Sequence, residues 1–411
     1  MLLGALAVSP ATAQETPRVL FPPPPPAELA HPAAPAAPIE VQDLAAPDAW
    51  RGGLATAEAD LGGPLWAKGA PPELSALVAR LPAAIEEPTL ASLQTALLAA
   101  PGPADDPGDV VLVARIERLI AMGEAAVALE ILSSAPVPLS AVLGDLQLAA
   151  QMATGATKPA CDAAAGRADD ASPWPEARVA CAALAHDATA VELALDRLGA
   201  LGRGAEPNLA GLARAAVVDG RFALQFPVPD SPLLLPLLRT VPVDVDPGRV
   251  EEMPVAARKV LAGNPYLAAA ARSAASRPAP PPSVRPELNG TSPADWAAAA
   301  GAVPEERRAR WAALVDGLGL PIPEDVWSGL AGLPSSPPAA GPDLAWWRGF
   351  EVASLDEQRG TMLLYLLLLT DGRPTDAAPV TLRRALDGLL ALGLESDARA
   401  LAAGTGGALG L

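Results

Sequence analysis

A chain of 411 residues with 51% apolar content is long enough for two or three domains and supplies enough core to exclude wholesale disorder. Ala and Leu dominate that content while aromatics make up only 3%, which selects helices over any large sheet, because strands favour β-branched and aromatic side chains. A formal net charge of −18, with lysine confined to Lys68, Lys158 and Lys259, offers no basic stripe to a phosphate backbone or an anionic membrane surface, and argues against nucleic-acid binding.

In chain order, "MLLGALAVSPATAQETP" is a short apolar run followed by Ala11-Thr12-Ala13 before Gln14. It reads as the h-region and A-x-A cleavage site of a partial signal peptide over residues 1–13, without a charged n-region. Residues 14–47, with "RVLFPPPPPAELAHPAAPAAP" inside them, are expected to be a Pro-rich disordered spacer of polyproline II character, since proline lacks the amide donor and fixes φ.

From residue 48 the pattern changes to helical blocks separated by Pro/Gly breaks. "PPELSALVARLPAA" places Leu74, Leu77, Val78 and Leu81 at i, i+3, i+4, i+7, and "PTLASLQTALLAAPG" repeats this with Leu90, Leu93, Leu97 and Leu98. "DVVLVARIERLIAMGEAAVALEILSSAP" divides at Gly123 into two helices closed by Pro136. Short breaks imply antiparallel neighbours. A loose repeat follows: Gly123, the His186-Asp187 turn and Gly393 each precede a small residue (Ala128, Ala190, Ala398) and then a large one (Leu132, Leu195, Leu401). A tight turn, a small residue where two helices touch and a large one filling the groove is the logic of a stacked hairpin. The fold class expected is all-α, an irregular α-solenoid of TPR-like helical hairpins with Pro-rich linkers. Its arrays span residues 48–275 and 294–411, joined by the Pro-rich linker 276–293.

The cysteines, Cys161 and Cys181, flank "RADDASP", which reads as the connection between a helix with Pro159 in its first turn and one beginning at Trp174. Their midpoint is Ala171, inside that connection, so in an antiparallel hairpin they lie at one height. Surrounding alanines allow the close approach a disulfide needs. Such a bond would form in an oxidising compartment, in agreement with an export signal, and would contribute about 3 kcal/mol through loop closure. Two buried free thiols are the alternative. A redox or metal role has little support, because the spacing is not C-x-x-C and the chain has two histidines.

The C-terminal array holds Trp296, Trp311, Trp327, Trp346 and Trp347. Adjacent Trp346 and Trp347 cannot both face one helical stripe, so one is expected either to pack under a loop or to serve as a partner contact. "MLLYLLLL" (residues 362–369) is too short to span a bilayer and reads as a buried helix, so no membrane insertion is expected.

Little material for catalysis is present. His31 lies in the spacer and His186 in a helix turn, neither beside a nucleophile. The pairs Glu86-Glu87, Asp105-Asp106, Asp169-Asp170 and Glu251-Glu252 fall near Pro/Gly breaks and read as solvated loops. No G-x-x-x-x-G-K-[ST] loop occurs, the terminal "GTGGALG" is expected to fray, and "NGT" at Asn289 fits a glycosylation acceptor only formally.

Three stretches, "WRGGLATAEADLGGPLWAKGAPPELSALVARLP", "WPEARVACAALAHDATAVELAL" and "LRRALDGLLALGLESDARALAAGTGGALGL", resemble a family of uncharacterised secreted, Ala/Leu-rich proteobacterial proteins often labelled antifreeze-glycopeptide-like. The resemblance implies a periplasmic helical-hairpin protein and carries no site residues with it. The chain lacks the Ala-Ala-Thr array that the antifreeze label would need. The expectation is therefore a non-catalytic periplasmic or secreted scaffold or adaptor that binds an envelope protein and needs no cofactor. The alternative is an enzyme or small-ligand binder using an acidic cleft between the two arrays.

Overall fold

The computed structural model describes residues 51–267 apart from 137, 168, 169, 171 and 172, together with 303, 305–322, 324 and 344–408. The signal-like residues, the Pro-rich spacer, the linker 276–293 and the residues His31, Asn289, Trp296 and Trp327 lie outside the described residues. The described chain is all-α save for two two-residue strands. The helices are α1 (Ala55–Asp60), α2 (Pro71–Arg80), α3 (Pro88–Ala99), α4 (Val110–Ala121), α5 (Ala125–Ser133), α6 (Ala141–Thr154), α7 (Thr157–Gly166), α8 (Trp174–Leu184), α9 (Ala188–Ala200), α10 (Pro207–Val217), α11 (Leu235–Thr240) and α12 (Val255–Ala262). After the linker come α13 (Glu305–Gly317), α14 (Leu344–Leu355), α15 (Arg359–Thr370), α16 (Pro379–Ala391) and α17 (Glu395–Ala408). Strands β1 (Phe222–Ala223) and β2 (Val243–Asp244) pair in parallel.

Prolines start these helices instead of interrupting them: Pro71, Pro88, Pro207 and Pro379 each occupy the first helical position, where no amide donor is needed. Two are preceded by a capping glutamate. The Glu87 carboxylate accepts from Leu90 N at 2.7 Å, and that of Glu206 from Asn208 N and Leu209 N at 2.9 and 2.6 Å. Ser140 and Asp187 cap α6 and α9 in the same way.

The hairpin turns share one mechanism. Gly123 (φ 77°), His186 (φ 55°), Glu357 (φ 55°) and Gly393 (φ 75°) are left-handed and join α4 to α5, α8 to α9, α14 to α15 and α16 to α17. In each turn the next amide reaches back into the finished helix, as Glu124 N to Leu119 O, Asp187 N to Ala182 O, Gln358 N to Ala353 O and Leu394 N to Leu389 O. Ala128 and Ala398 are fully buried where the paired helices touch, and Leu132, Leu195 and Leu401 fill the space beyond.

One main core runs through helices on both sides of the linker, from Leu61 and Leu65 to Leu401 and Ala402. The Leu-rich α15 is deeply embedded in it, with every residue except Arg359 and Tyr365 buried. Residues distant in sequence are tied directly. Gly360 N donates to Leu65 O at 3.0 Å, and a Cβ on Gly360 would sit 2.4 Å from that oxygen, so only glycine permits the approach. Lys68 Nζ reaches Asp356 O at 2.6 Å, and Arg359 donates to Leu61 O and Leu392 O at 2.9 and 2.7 Å.

Arginines close the C-terminal ends of helices throughout. Arg115 donates to Leu98 O and Ala100 O at the end of α3, Arg118 to Ala79 O near the end of α2, and Arg239 to Ala153 O at the end of α6. Arg115 is wholly buried, and that burial pulls its guanidinium down to about 9 despite the opposing charge of Asp106.

The expectation of a fraying terminus is corrected. α17 continues through Gly404, Thr405, Gly406 and Gly407, of which the last three are buried. A Cβ at Gly404 would meet Glu87 Oε1 at 2.9 Å, so the small residues let α17 close on the start of α3. Glu87 is corrected with it: this carboxylate is buried, with burial pushing it up against the hydrogen bonds from Leu90 and Thr89. Van der Waals fit compensates for the weak helix propensity of glycine here.

Candidate interaction site

α14 presents its two tryptophans to different surroundings. Trp346 packs against the main core, while Trp347 is half-buried under the guanidinium of Arg384 from α16, 4.7 Å from the ring centroid. Beside this stack, α14, α15 and α16 enclose a cavity of about 460 Å³. Phe350, Met362, Gly388 and Ala391 contribute apolar surface to it, and Arg348, Glu351, Arg384 and Asp387 the charges. Gly388 leaves room for the Phe350 ring, which a Cβ there would meet at 2.9 Å.

Glu351 bridges the two arginines, 3.4 Å from each of Arg348 and Arg384, so the guanidinium above Trp347 is oriented by a carboxylate. On the same helix Leu355 is 79% exposed and Val352 40%. The carboxyl of Asp387 is raised, first by partial burial, against which Arg383 lowers it, Asp316 raises it and Arg384 lowers it again. Arg383 lies 2.6 Å from Asp316 and 3.8 Å from Asp387, and so divides its charge between them. The arrangement is an apolar hollow with an Arg–Trp stack at one side and an exposed leucine on one wall. Arginine, tryptophan and exposed aliphatic groups in one place are the materials of a protein-binding surface.

The cysteines lie elsewhere. Cys161 on α7 and Cys181 on α8 form a disulfide with Cα atoms 5.5 Å apart, packed against a second, smaller cluster of Leu148, Met152, Ala160, Ala164, Trp174, Ala177 and Leu233. Trp174 donates its indole N–H to Asp145 at 2.7 Å. His186 forms the αL turn after α8, its Nδ1 2.9 Å from Ala216 O. Among the described residues, no cluster of three or more His, Cys, Asp or Glu could hold a metal ion, and no helix is long and apolar enough to cross a membrane. Members of the acidic pairs take part in local contacts: Glu86 and Glu252 make exposed ion pairs with Arg373 and Arg249, Glu87 and Asp106 cap helices, and Asp170 holds Arg178 and Arg197.

Sequence reading isolated Trp346 and Trp347 but missed Arg384, Glu351 and Asp387, whose separation from the pair leaves no local signal. Comparison with protein-family models, curated proteins and solved structures gave no match.

Proposed function

We propose that this chain is a non-catalytic periplasmic or secreted scaffold or adaptor, of the kind its Ala/Leu-rich relatives by resemblance would be, whose stacked TPR-like hairpins form an irregular solenoid. The observation that carries the reading is the hollow beside Trp347, where Arg384 is held over the indole and Leu355 is left almost fully exposed. An exposed leucine next to an oriented Arg–Trp stack gains free energy when a partner covers it, since apolar area leaves water while the guanidinium keeps its contacts. The disulfide supports an oxidising address, and the signal-like N-terminus points the same way.

The test is crosslinking in intact envelopes followed by affinity capture of the wild-type chain and of L355E and R384A. A reproducible envelope protein that is recovered with wild type and lost with both variants sustains the adaptor reading. Equal recovery with all three chains removes this hollow from it.

The second reading, a binder or enzyme for a small ligand in an acidic cleft between the two arrays, has its support within the C-terminal array alone, where Asp387, a carboxylate raised by burial, lines the same hollow as Glu351. A ligand-induced rise in melting temperature that D387N abolishes would favour it.

A further inference from the structure

α7 has almost no means of its own to stay attached. Of its ten residues only Ala160 and Ala164 are buried. Cys161 is half-buried, and the remaining side chains are exposed or, for Thr157, partly so. The ion pair it carries, Lys158 with Asp162, is wholly on the surface. Two methyl groups are far less apolar burial than a helix of this length needs to offset its ordering entropy.

The chain on either side of α7 is firmly held. Before it, α6 ends at Gly155 (φ 88°), a left-handed cap whose N–H bonds back to Gln151 O and Met152 O. After it, three arginines converge on the connection. Arg178 donates to Arg167 O at 3.1 Å and to Asp170 at 3.0 Å, Arg197 lies 2.8 Å from Asp170, and Arg203 donates to Asp170 O at 3.2 Å while pairing with Glu176 at 2.7 Å. The partner cysteine stands on α8, whose Val179, Ala180 and Ala183 belong to the main core. The disulfide therefore joins a weakly packed helix to a fixed one.

Although the spacing is not C-x-x-C and gave a redox role little support, the weak packing of α7 changes that reading: we propose that the Cys161–Cys181 bond is a redox latch, and that its reduction releases α7 as a local unit while the rest of the fold stays intact. A dithiol reductant supplies the two electrons. One of its thiolates attacks a cysteine sulfur to form a mixed disulfide and expels the other cysteine as a thiolate, which takes up a proton. The reductant's second thiol then closes its own disulfide, leaving two protein thiols. With α7 detached, the cover over Leu148, Met152 and Trp174 is gone, and the neighbouring cavity of about 330 Å³ loses the wall that carries Ala163. The bistable element is the single helix between Gly155 and the arginine clamp.

Amide hydrogen exchange on the full chain, before and after dithiothreitol, tests this. Reduction is expected to speed exchange of residues 157–166 roughly a hundredfold, the factor that loop closure of this size implies, with α8 and α9 changed less than about twofold. The double variant C161A/C181A, which leaves α7 its small side chains, should show the released pattern without reductant. Unchanged protection of α7 in the variant overturns the latch, and so does joint loss of protection in α7, α8 and α9, because the bond would then serve the whole fold.

Discussion

Two helices of similar length show two ways of holding an Ala/Leu-rich helix in place. α15 has every residue but Arg359 and Tyr365 buried and belongs to the main core. α7 buries two alanines and is fixed by a disulfide, with salt-bridged arginines anchoring the chain that follows it. The first is held by apolar area, which no single bond controls. The second is held by one covalent bond, which chemistry can remove. α15 has six leucines and a methionine to bury, whereas α7 has no leucine and turns only alanines inward. The size of the inward side chains decides how firmly each is attached.

Three substitutions bear on this contrast beyond the tests above. The largest effect is expected from Leu367→Ala, a fully buried site on α15. It should lower global stability by about 3 kcal/mol in denaturant titration, with tertiary and secondary signals lost together. A loss below about 1 kcal/mol would mean that apolar packing does not hold this helix in place.

An intermediate effect concerns pH. Burial raises the Glu87 carboxyl in the folded chain, so the folded state holds its proton at a pH where the unfolded chain has released it. The stability associated with this proton is present at low pH and is lost as pH rises from the ordinary carboxylate range through the raised value. Glu87→Gln, which keeps an acceptor for the Leu90 amide, should flatten that part of the stability profile, as read from urea midpoints between acid and neutral pH. A variant profile parallel to wild type would place the pH dependence elsewhere.

The smallest effect is expected on α7. Lys158→Ala removes an exposed ion pair and should change stability by less than about 0.5 kcal/mol, with no change in α7 exchange. A larger change would show that the surface charge shares the work assigned to the disulfide.

The helices and their turns were legible because their signals are local. A glycine between apolar stripes at 3.6-residue spacing located the α4–α5 hairpin, and proline at first-turn positions marked several helix starts. The equal distances of Cys161 and Cys181 from Ala171 sufficed to place them face to face, and the structure sets them at bonding distance. The apposition of α15 and α17 with the α1–α3 strip was not legible, because it depends on pairs such as Arg359 and Leu61, 298 residues apart. The terminal glycines were misread for the same reason: their use lies in Glu87, not in their neighbours. One signal was available and unused. Arg115 falls on the apolar stripe of α4 between Val111 and Leu119, where a charged residue must find partners inside. At the candidate site the tryptophan pair stood out, while the guanidinium above Trp347 arrives from a different helix.

The hydrogen bond from Gly360 to Leu65 sets an order of events during synthesis. The strip of α1–α3 that faces α15 and α17 is made long before those helices exist, and until they arrive Leu65 O is left to water and the apolar groups on that face stay uncovered. Completion of the fold is then a late closure of a very long loop, slow by its topology and exposed to aggregation until the last two hairpins arrive. A chaperone that recognises nascent apolar segments would find its natural point of action on α1–α3, even though the helices that release it are α15 and α17.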